Sequence, residues 1–374
     1  MNAGASASAI VVGAGIVGAS CALYLARAGF AVTVLDAAFP ASGATAAGMG
    51  HLVTMDDSDS QFALTSYSQG LWREVREEFG AFAEMDNCGT LWIAEDEEEM
   101  AAVLQKHSYY SSRGVAAEVL DPHQVASCEP LLRRPLAGAL RVPGDSVVYP
   151  PAAALAFLDA ARRSGARMIP NWRATRIASG LVSGDSGTVA GDVIVNATGN
   201  DAGLFSAECE LRPRRGHLVI TERYPGAVRH QIVELGYLRS AHGFSGDSVA
   251  FNVQPRATGQ MLIGSSRELG ARSSAINEVI LDRMLVRARH FMPSLPRLVA
   301  TRVWTGMRPT SADKLPFIGP SMSAEGVWVA AGHEGLGITT SLGTGKLLAA
   351  MITGAAPAID VNPFRPGRKS AAWT

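Results

Sequence analysis

Two kinds of hydrophobic pattern alternate along the chain. Short continuous apolar runs bounded by glycine or polar residues predict buried parallel strands at 9–12 (AIVV), 31–35 (AVTVL), 192–197 (DVIVNA) and 327–331. Amphipathic stretches predict helices over 19–28, 61–79, 95–112, 152–164, 278–291 and 336–352. Between 216 and 266 apolar and polar residues instead alternate between Gly, Pro and Asn turns, as in HLVIT, SVAFNVQP and QMLIGSS. That alternation predicts an antiparallel sheet separate from the first. The expected fold class is α/β (α+β), a Rossmann-like nucleotide-binding domain joined to a second, largely antiparallel β domain that binds substrate. The two are interleaved: 1–82, 145–215 and 300–354 form the first, 83–144 and 216–299 the second. The tail 355–374 and the N-terminal octet are expected to fray.

Composition narrows the classes. At roughly 150 residues per domain, 374 residues suggest two or three domain-sized units. Hydrophobic residues at 47% and charged residues at 18% exclude disorder as the main state, because such a chain can fill a large core. With 33 basic and 34 acidic residues and no basic run, nucleic acid is not an expected partner. The EDEEE run at 95–99 reads as a solvated helix start, where acids complement the helix dipole. Four cysteines lie far apart without CxxC spacing, so no zinc or iron–sulphur ligation by this chain is expected, and no metal. Buried reduced thiols in a cytosolic protein fit instead. The uncharged first 26 residues lack the basic start of a signal peptide and are broken by Gly13, Gly15 and Gly18. They fall short of a span of about 20 apolar residues. The expectation is a soluble, cytoplasmic protein, with peripheral membrane association left open.

The glycines carry the candidate chemistry. GAGIVG (13–18), with Ile16 and Val17 between its glycines, follows a strand, opens a helix, and has Asp36 placed 18 residues beyond Gly18. Gly13 allows the tight turn, Gly15 lets the backbone reach a pyrophosphate, and Gly18 lets the helix close on the strand. The helix N-terminus offers free N–H groups to phosphate, and Asp36 can accept from ribose hydroxyls. Ser42, Thr45, Ala46, Ala47, Gly48 and Met49 form a run of small residues and hydroxyls where a nicotinamide enzyme would continue into ordinary helix. Such a run lets backbone N–H groups approach a large flat ring. Thr198 and Gly199 end a strand, and Gly332, His333, Gly335, Leu336, Gly337, Ile338 and Thr339 frame a second helix N-terminus. A helix start stabilises nearby negative charge by about 0.3–1 kcal/mol, and up to about 2 when partly buried.

Together these segments resemble the D-amino acid oxidase superfamily of FAD enzymes. The matching stretches are VVGAGIVG (11–18), ASGATAAGMGHL (41–52), VIVNATG (193–199), RPRRGHL (212–218), VWTGMRPTSADKLPFIGP (303–320) and VAAGHEGLGITTSLGTGKLL (329–348). They run in the family's order over nearly the whole chain. Within the superfamily, NVQPRATGQMLIGSSRE (252–268) together with the last stretch resembles D-hydroxyproline dehydrogenase-type flavoproteins, and is similar to the flavin subunit of cyanide-forming glycine dehydrogenases. Two departures are Asp36, where many relatives have Glu, and the brief segment 177–190, where relatives have a longer meander.

The resemblance implies FAD as cofactor and oxidation of a D-amino or imino acid, with D-hydroxyproline or D-proline as the leading substrates. Hydride would pass from the α-carbon to flavin N5, leaving an imine. It implies that Arg308 anchors the substrate carboxylate and that Asn252 and Arg267 face the substrate. His51 is placed near the flavin, either as proton acceptor or as a group that only shapes the pocket; His333 supports the flavin. The alternatives are a glycine or sarcosine oxidase, a cyanide-forming glycine dehydrogenase subunit, or a flavin-holding subunit of an electron-transfer complex inactive alone. The electron acceptor could be oxygen, a quinone or a partner redox subunit.

Overall fold

The computed structural model describes residues 7–236, 246–271, 273–369 and 373. Part of the expected antiparallel stretch, 237–245, and residues 1–6 of the N-terminal octet therefore lie outside the described residues.

The glycine-bounded apolar runs assemble into a six-stranded sheet in the order Phe317–Pro320, Val327–Ala331, Val193–Asn196, Ser8–Val12, Ala31–Leu35, Arg167–Ile169. All pairs are parallel except that of Phe317–Pro320 with Val327–Ala331. Parallel strands are buried on both faces, which is why they read as continuous apolar runs. One face carries the helices Ile16–Arg27, Asp59–Glu74, Pro150–Arg163 and Gly337–Thr353, packed around Cys21, Leu25 and Leu347. On the other, Trp172, Ile177 and Val182 cover Ile10, Val12 and Ile194. Ile177 and Val182 belong to the short antiparallel sheet Ala174–Ala178, Leu181–Gly184, Gly187–Ala190, which is what the brief segment 177–190 builds.

The second sheet has eight strands, in the order Ala300–Thr310, Arg212–Thr221, Met261–Leu269, Ser248–Pro255, Gln231–Glu234, Thr90–Ala94, Gly138–Val142, Glu118–Leu120. Only Gln231–Glu234 with Thr90–Ala94 is parallel among the described pairs of this sheet. Residues 212–215 and 300–310, grouped above with the nucleotide-binding unit, lie in this sheet. Their pairing runs from Arg212↔Thr310 to Thr221↔Ala300 and could not be read from apolar content alone. Period-two alternation assigns the faces. Val219, Phe251, Val253 and Ile263 enter a core closed by the helix Glu278–Phe291, where Phe251 stacks on Phe291 at 5.0 Å. Gly216, Leu218, Asn252, Gly306 and Arg308 face the first domain.

The tail departs from the expectation of fraying. Phe364 is fully buried in the main core, and Arg368 makes a two-point contact with Asp313 at 2.6 and 2.7 Å. A lone aromatic among Pro, Arg and Lys gave no periodic signal in the sequence. Phe364→Ala is expected to cost about 3–5 kcal/mol, read as a lowered Tm; an unchanged Tm would show that the tail contributes no core.

Candidate active site

Where the parallel strands of the first sheet end, the second sheet stands across from them and a cavity of about 440 Å³ separates the two. Crevices at the carboxyl ends of parallel strands are where such folds bind ligands. The cavity is lined by Val12, Gly13, Gly15–Gly18, Asp36, the 42–51 loop (Ala46 excepted), Trp172 and Arg173, Thr198 and Gly199, Gly306–Pro309, and Gly332–Ile338 apart from Leu336.

Glycine is required at its tightest points. Gly13 has φ +104, and a Cβ there would lie 2.4 Å from the Ala197 carbonyl oxygen. A Cβ on Gly18 would lie 1.9 Å from the carbonyl oxygen of Gly13. Both helices that begin at the cavity, Ile16–Arg27 and Gly337–Thr353, lack an acid in the first turn and a capping side chain at the N-cap residue. The helices starting at Asp59, Glu97, Pro122 and Glu278 are instead capped by Ser58, Asp96, Asp121 and Asn277, while Pro150–Arg163 begins uncapped on two prolines, which lack the N–H a cap would take. Two helix ends without such caps facing one cavity suit a ligand that is anionic at both.

Most residues singled out from the sequence line this cavity: Gly13, Gly15, Ile16, Val17, Gly18, Asp36, Ser42, Thr45, Ala47, Gly48, Met49, His51, Thr198, Gly199, Asn252, Arg308, Gly332, His333, Gly335, Gly337 and Ile338. Ala46, Leu336, Thr339 and Arg267 do not. Ala46 points to solvent on its loop. Leu336 packs against a separate apolar cluster that holds Val53, Met55 and Trp92. Thr339 ties the last helix to the 51–52 strand, its Oγ1 donating to the His51 carbonyl at 2.8 Å while its own carbonyl accepts from Trp72. Arg267 is buried behind the wall, its Nε 3.6 Å from Glu334. It follows a register irregularity in its strand's pairing, which a strict alternation count cannot see.

The polar groups divide by role. Asp36 accepts from the Ala14 N–H at 2.6 Å and the Ala38 N–H at 2.8 Å, fixing the glycine turn at the strand end. Thr45 Oγ1 accepts from the Ile16 N–H at 2.9 Å, so the small-residue loop is fastened to the first helix. Arg308 extends across Gly216, where a Cβ would meet its Nη1 at 2.3 Å, and donates to the Ser266 carbonyl at 3.1 Å. Gly216 is thus the space for a guanidinium, a role set by the cross-strand pairing Gly216↔Gly306 and invisible along the chain.

Burial pushes His51 down to about 3, with Arg308 adding to the shift and Gln254 opposing it. Its imidazole is neutral across the physiological range. Burial also pushes His333 down to about 3, and its Nε2 is 2.9 Å from Thr344 Oγ1. His51 Nε2 and Asn252 Oδ1 are buried with no hydrogen-bond partner. Buried polar atoms of this kind are costly unless a ligand or water completes them. Glycine turn, helix ends and orphaned polar atoms all fit FAD, which could lie with its pyrophosphate at Gly13–Gly18 and its ring between the 42–51 loop and Gly306–Arg308.

A Rossmann-type cradle opposed by a β sheet that presents an arginine defines an FAD-dependent oxidoreductase of amino acids. The family model described as DAO, FAD dependent oxidoreductase, matches residues 8–351, and the chain belongs to that family. It is 27% identical over 413 residues to hydrogen cyanide synthase subunit HcnC of Pseudomonas aeruginosa, covering 96% of this chain and 95% of that protein. Glycine oxidase of Geobacillus kaustophilus is 26% identical over 95% of each chain. The crystal structure of a glycine oxidase from that organism superposes with a TM-score of 0.87 over 97% of this chain and 99% of that one. L-proline dehydrogenase from P. horikoshii, at 23% identity and a TM-score of 0.88 over 97% of each chain, shares the fold. Among the described residues no helix is long and apolar enough to cross a membrane.

Proposed function

We propose that this protein oxidises a small α-imino or α-amino acid of the D series, with D-hydroxyproline or D-proline as the leading candidates. The observation that carries the reading is Arg308, placed on the cavity wall in a slot that Gly216 leaves open. A planar guanidinium matches a carboxylate at two points and fixes its orientation. Bound FAD supplies the hydride acceptor.

The chain's own residues do the rest. Arg308 holds the carboxylate, and Asn252 Oδ1 and His51 Nε2 meet the remaining polar edges of substrate and ring. His51 stays neutral and shapes the pocket, because a group titrating near 3 does not retain a proton at neutral pH. Arg267 acts from behind Glu334 rather than on the substrate. The helix ends at Ile16 and Gly337 stabilise negative charge on the cofactor, and Gly13, Gly15 and Gly18 admit its pyrophosphate. Orientation of this kind accounts for several kcal/mol of barrier lowering.

A second reading, oxidation of glycine or sarcosine, is supported by the similarity to HcnC and glycine oxidase. In that case the chain could work as one subunit of a larger assembly. An anaerobic substrate panel separates the readings. Cyclic D-imino acids are expected to bleach the flavin faster than glycine or L-amino acids; bleaching by glycine alone would install the second reading. Assay of the purified chain with an artificial dye, with and without oxygen, then shows whether electrons leave to oxygen or need a quinone or partner subunit.

A further inference from the structure

Glu334 lines the cavity wall and has no task in the reading above. Its backbone is left-handed, with φ +48, an uncommon state for glutamate. Its N–H donates to the Pro309 carbonyl at 3.0 Å, and its Oε2 accepts from the Gly335 N–H at 2.5 Å. Arg308 stands close by: its Cδ and Nε lie 3.8 Å from where a Gly335 Cβ would stand, and its charge acts on the Glu334 carboxyl. Behind it, Oε1 is 3.6 Å from Arg267 Nε and 3.9 Å from Arg214 Nη1. Arg214 is 1% exposed and Arg267 6%, and neither lines the cavity.

Buried charges of this kind are tolerated only when they answer one another. Burial alone would raise the Glu334 carboxyl, but Arg267, Arg308, Arg214 and the Gly335 N–H together hold it below the usual carboxylate range. Lys314 adds a further positive charge to the same group. The other acids lining the cavity are Asp36, which follows Ala31–Leu35, and Asp201, at the end of 199–201. Among the described residues, Glu334 is a cavity-lining acid on which Arg308, Arg267 and Arg214 act together.

A cation and a fixed anion side by side on one wall mirror the two charges of an α-amino acid. Resting on the function proposed above, we propose that Glu334 is a positioning residue for the substrate nitrogen. Its carboxylate draws the ammonium group to one side of the Arg308-bound carboxylate. It also stabilises the positive charge that grows on nitrogen during oxidation. The bound ammonium first gives one N–H proton to water; as the Cα–H bond of the resulting amine breaks and its electron pair leaves as hydride to bound FAD, the freed nitrogen lone pair forms the C=N bond and the product is an iminium cation. A fixed negative charge favours that transition state over the neutral amine that precedes it. The substrate class selected is amines over 2-hydroxy acids, which lack the nitrogen charge.

The test uses two ligands of nearly one shape. In 2-aminoisobutyrate there is no α-hydrogen to lose, and pivalate replaces its ammonium with a methyl group. Each is titrated calorimetrically into FAD-loaded protein at neutral pH. Glu334→Gln is expected to weaken 2-aminoisobutyrate and to tighten pivalate, each by about tenfold. Glu334→Asn, better suited to a left-handed backbone, should give the same opposite signs even if the glutamine variant folds poorly. Both ligands moving in one direction, or neither moving, would overturn the proposal. Arg308→Met reports separately on the function proposed above: it should abolish binding of both ligands, and retention of both would remove the carboxylate anchor whatever Glu334 does.

Discussion

Arg308→Met is expected to raise the KM for the amino-acid substrate by at least about tenfold, with the protein remaining yellow. Methionine roughly fills the slot above Gly216 but offers neither charge nor a forked donor. The cofactor end of the cavity, built from Gly13–Gly18 and the 42–51 loop, is left intact. Steady-state kinetics and the flavin spectrum of the same preparation separate the two effects. A colourless variant would mean that Arg308 helps hold the cofactor. A yellow variant with unchanged kinetics would refute carboxylate anchoring. Arg308→Lys restores the charge without the two-point geometry, and should recover only part of the loss.

Gly13→Ala should purify with at least about tenfold less FAD than the parent protein, a loss of the size expected from strain of about 1–3 kcal/mol at a left-handed position. The added methyl meets the Ala197 carbonyl oxygen at 2.4 Å, a backbone atom that cannot swing aside. Relief requires the strand ends Val12 and Ala197 to part, and those carry the turn on which the pyrophosphate would rest. Gly29→Ala is the control. Gly29 also has a positive φ, +91, but no heavy atom stands within 4 Å of its Cβ position, and it does not line the cavity. That variant should lose some stability and keep its FAD. Equal FAD content in the two variants, measured by absorbance after denaturation, would contradict the assignment.

The nucleotide end was legible because its determinants are local. Strand, glycine turn and helix follow one another within residues 8–27, and the glycines sit where the backbone turns and closes on itself. The last helix was legible for the same reason. The reacting end depends on register between distant strands. Arg308 was found through resemblance to a family motif, whereas its partner glycine, Gly216, emerges only once Arg212–Thr221 pairs with Ala300–Thr310. Glu334 lies inside a glycine-framed stretch whose pattern points to backbone N–H groups rather than to side chains. Its signal was an acid at a helix start that has no acid in its first turn, backed by arginines in two separate strands. The resemblance points Arg267 at the substrate, whereas the irregular pairing of its strand puts it behind Glu334. Phe364 and Arg368 were hidden in a segment whose composition resembles a loose end.

One experiment bears directly on the central claim: a crystal structure of the FAD-loaded protein with pivalate bound. The account predicts both carboxylate oxygens within hydrogen-bond reach of the Arg308 guanidinium, in the space between Gly216, Asn252 and the flavin ring. Pivalate bound elsewhere, with Arg308 turned out of the cavity toward solvent, would contradict it.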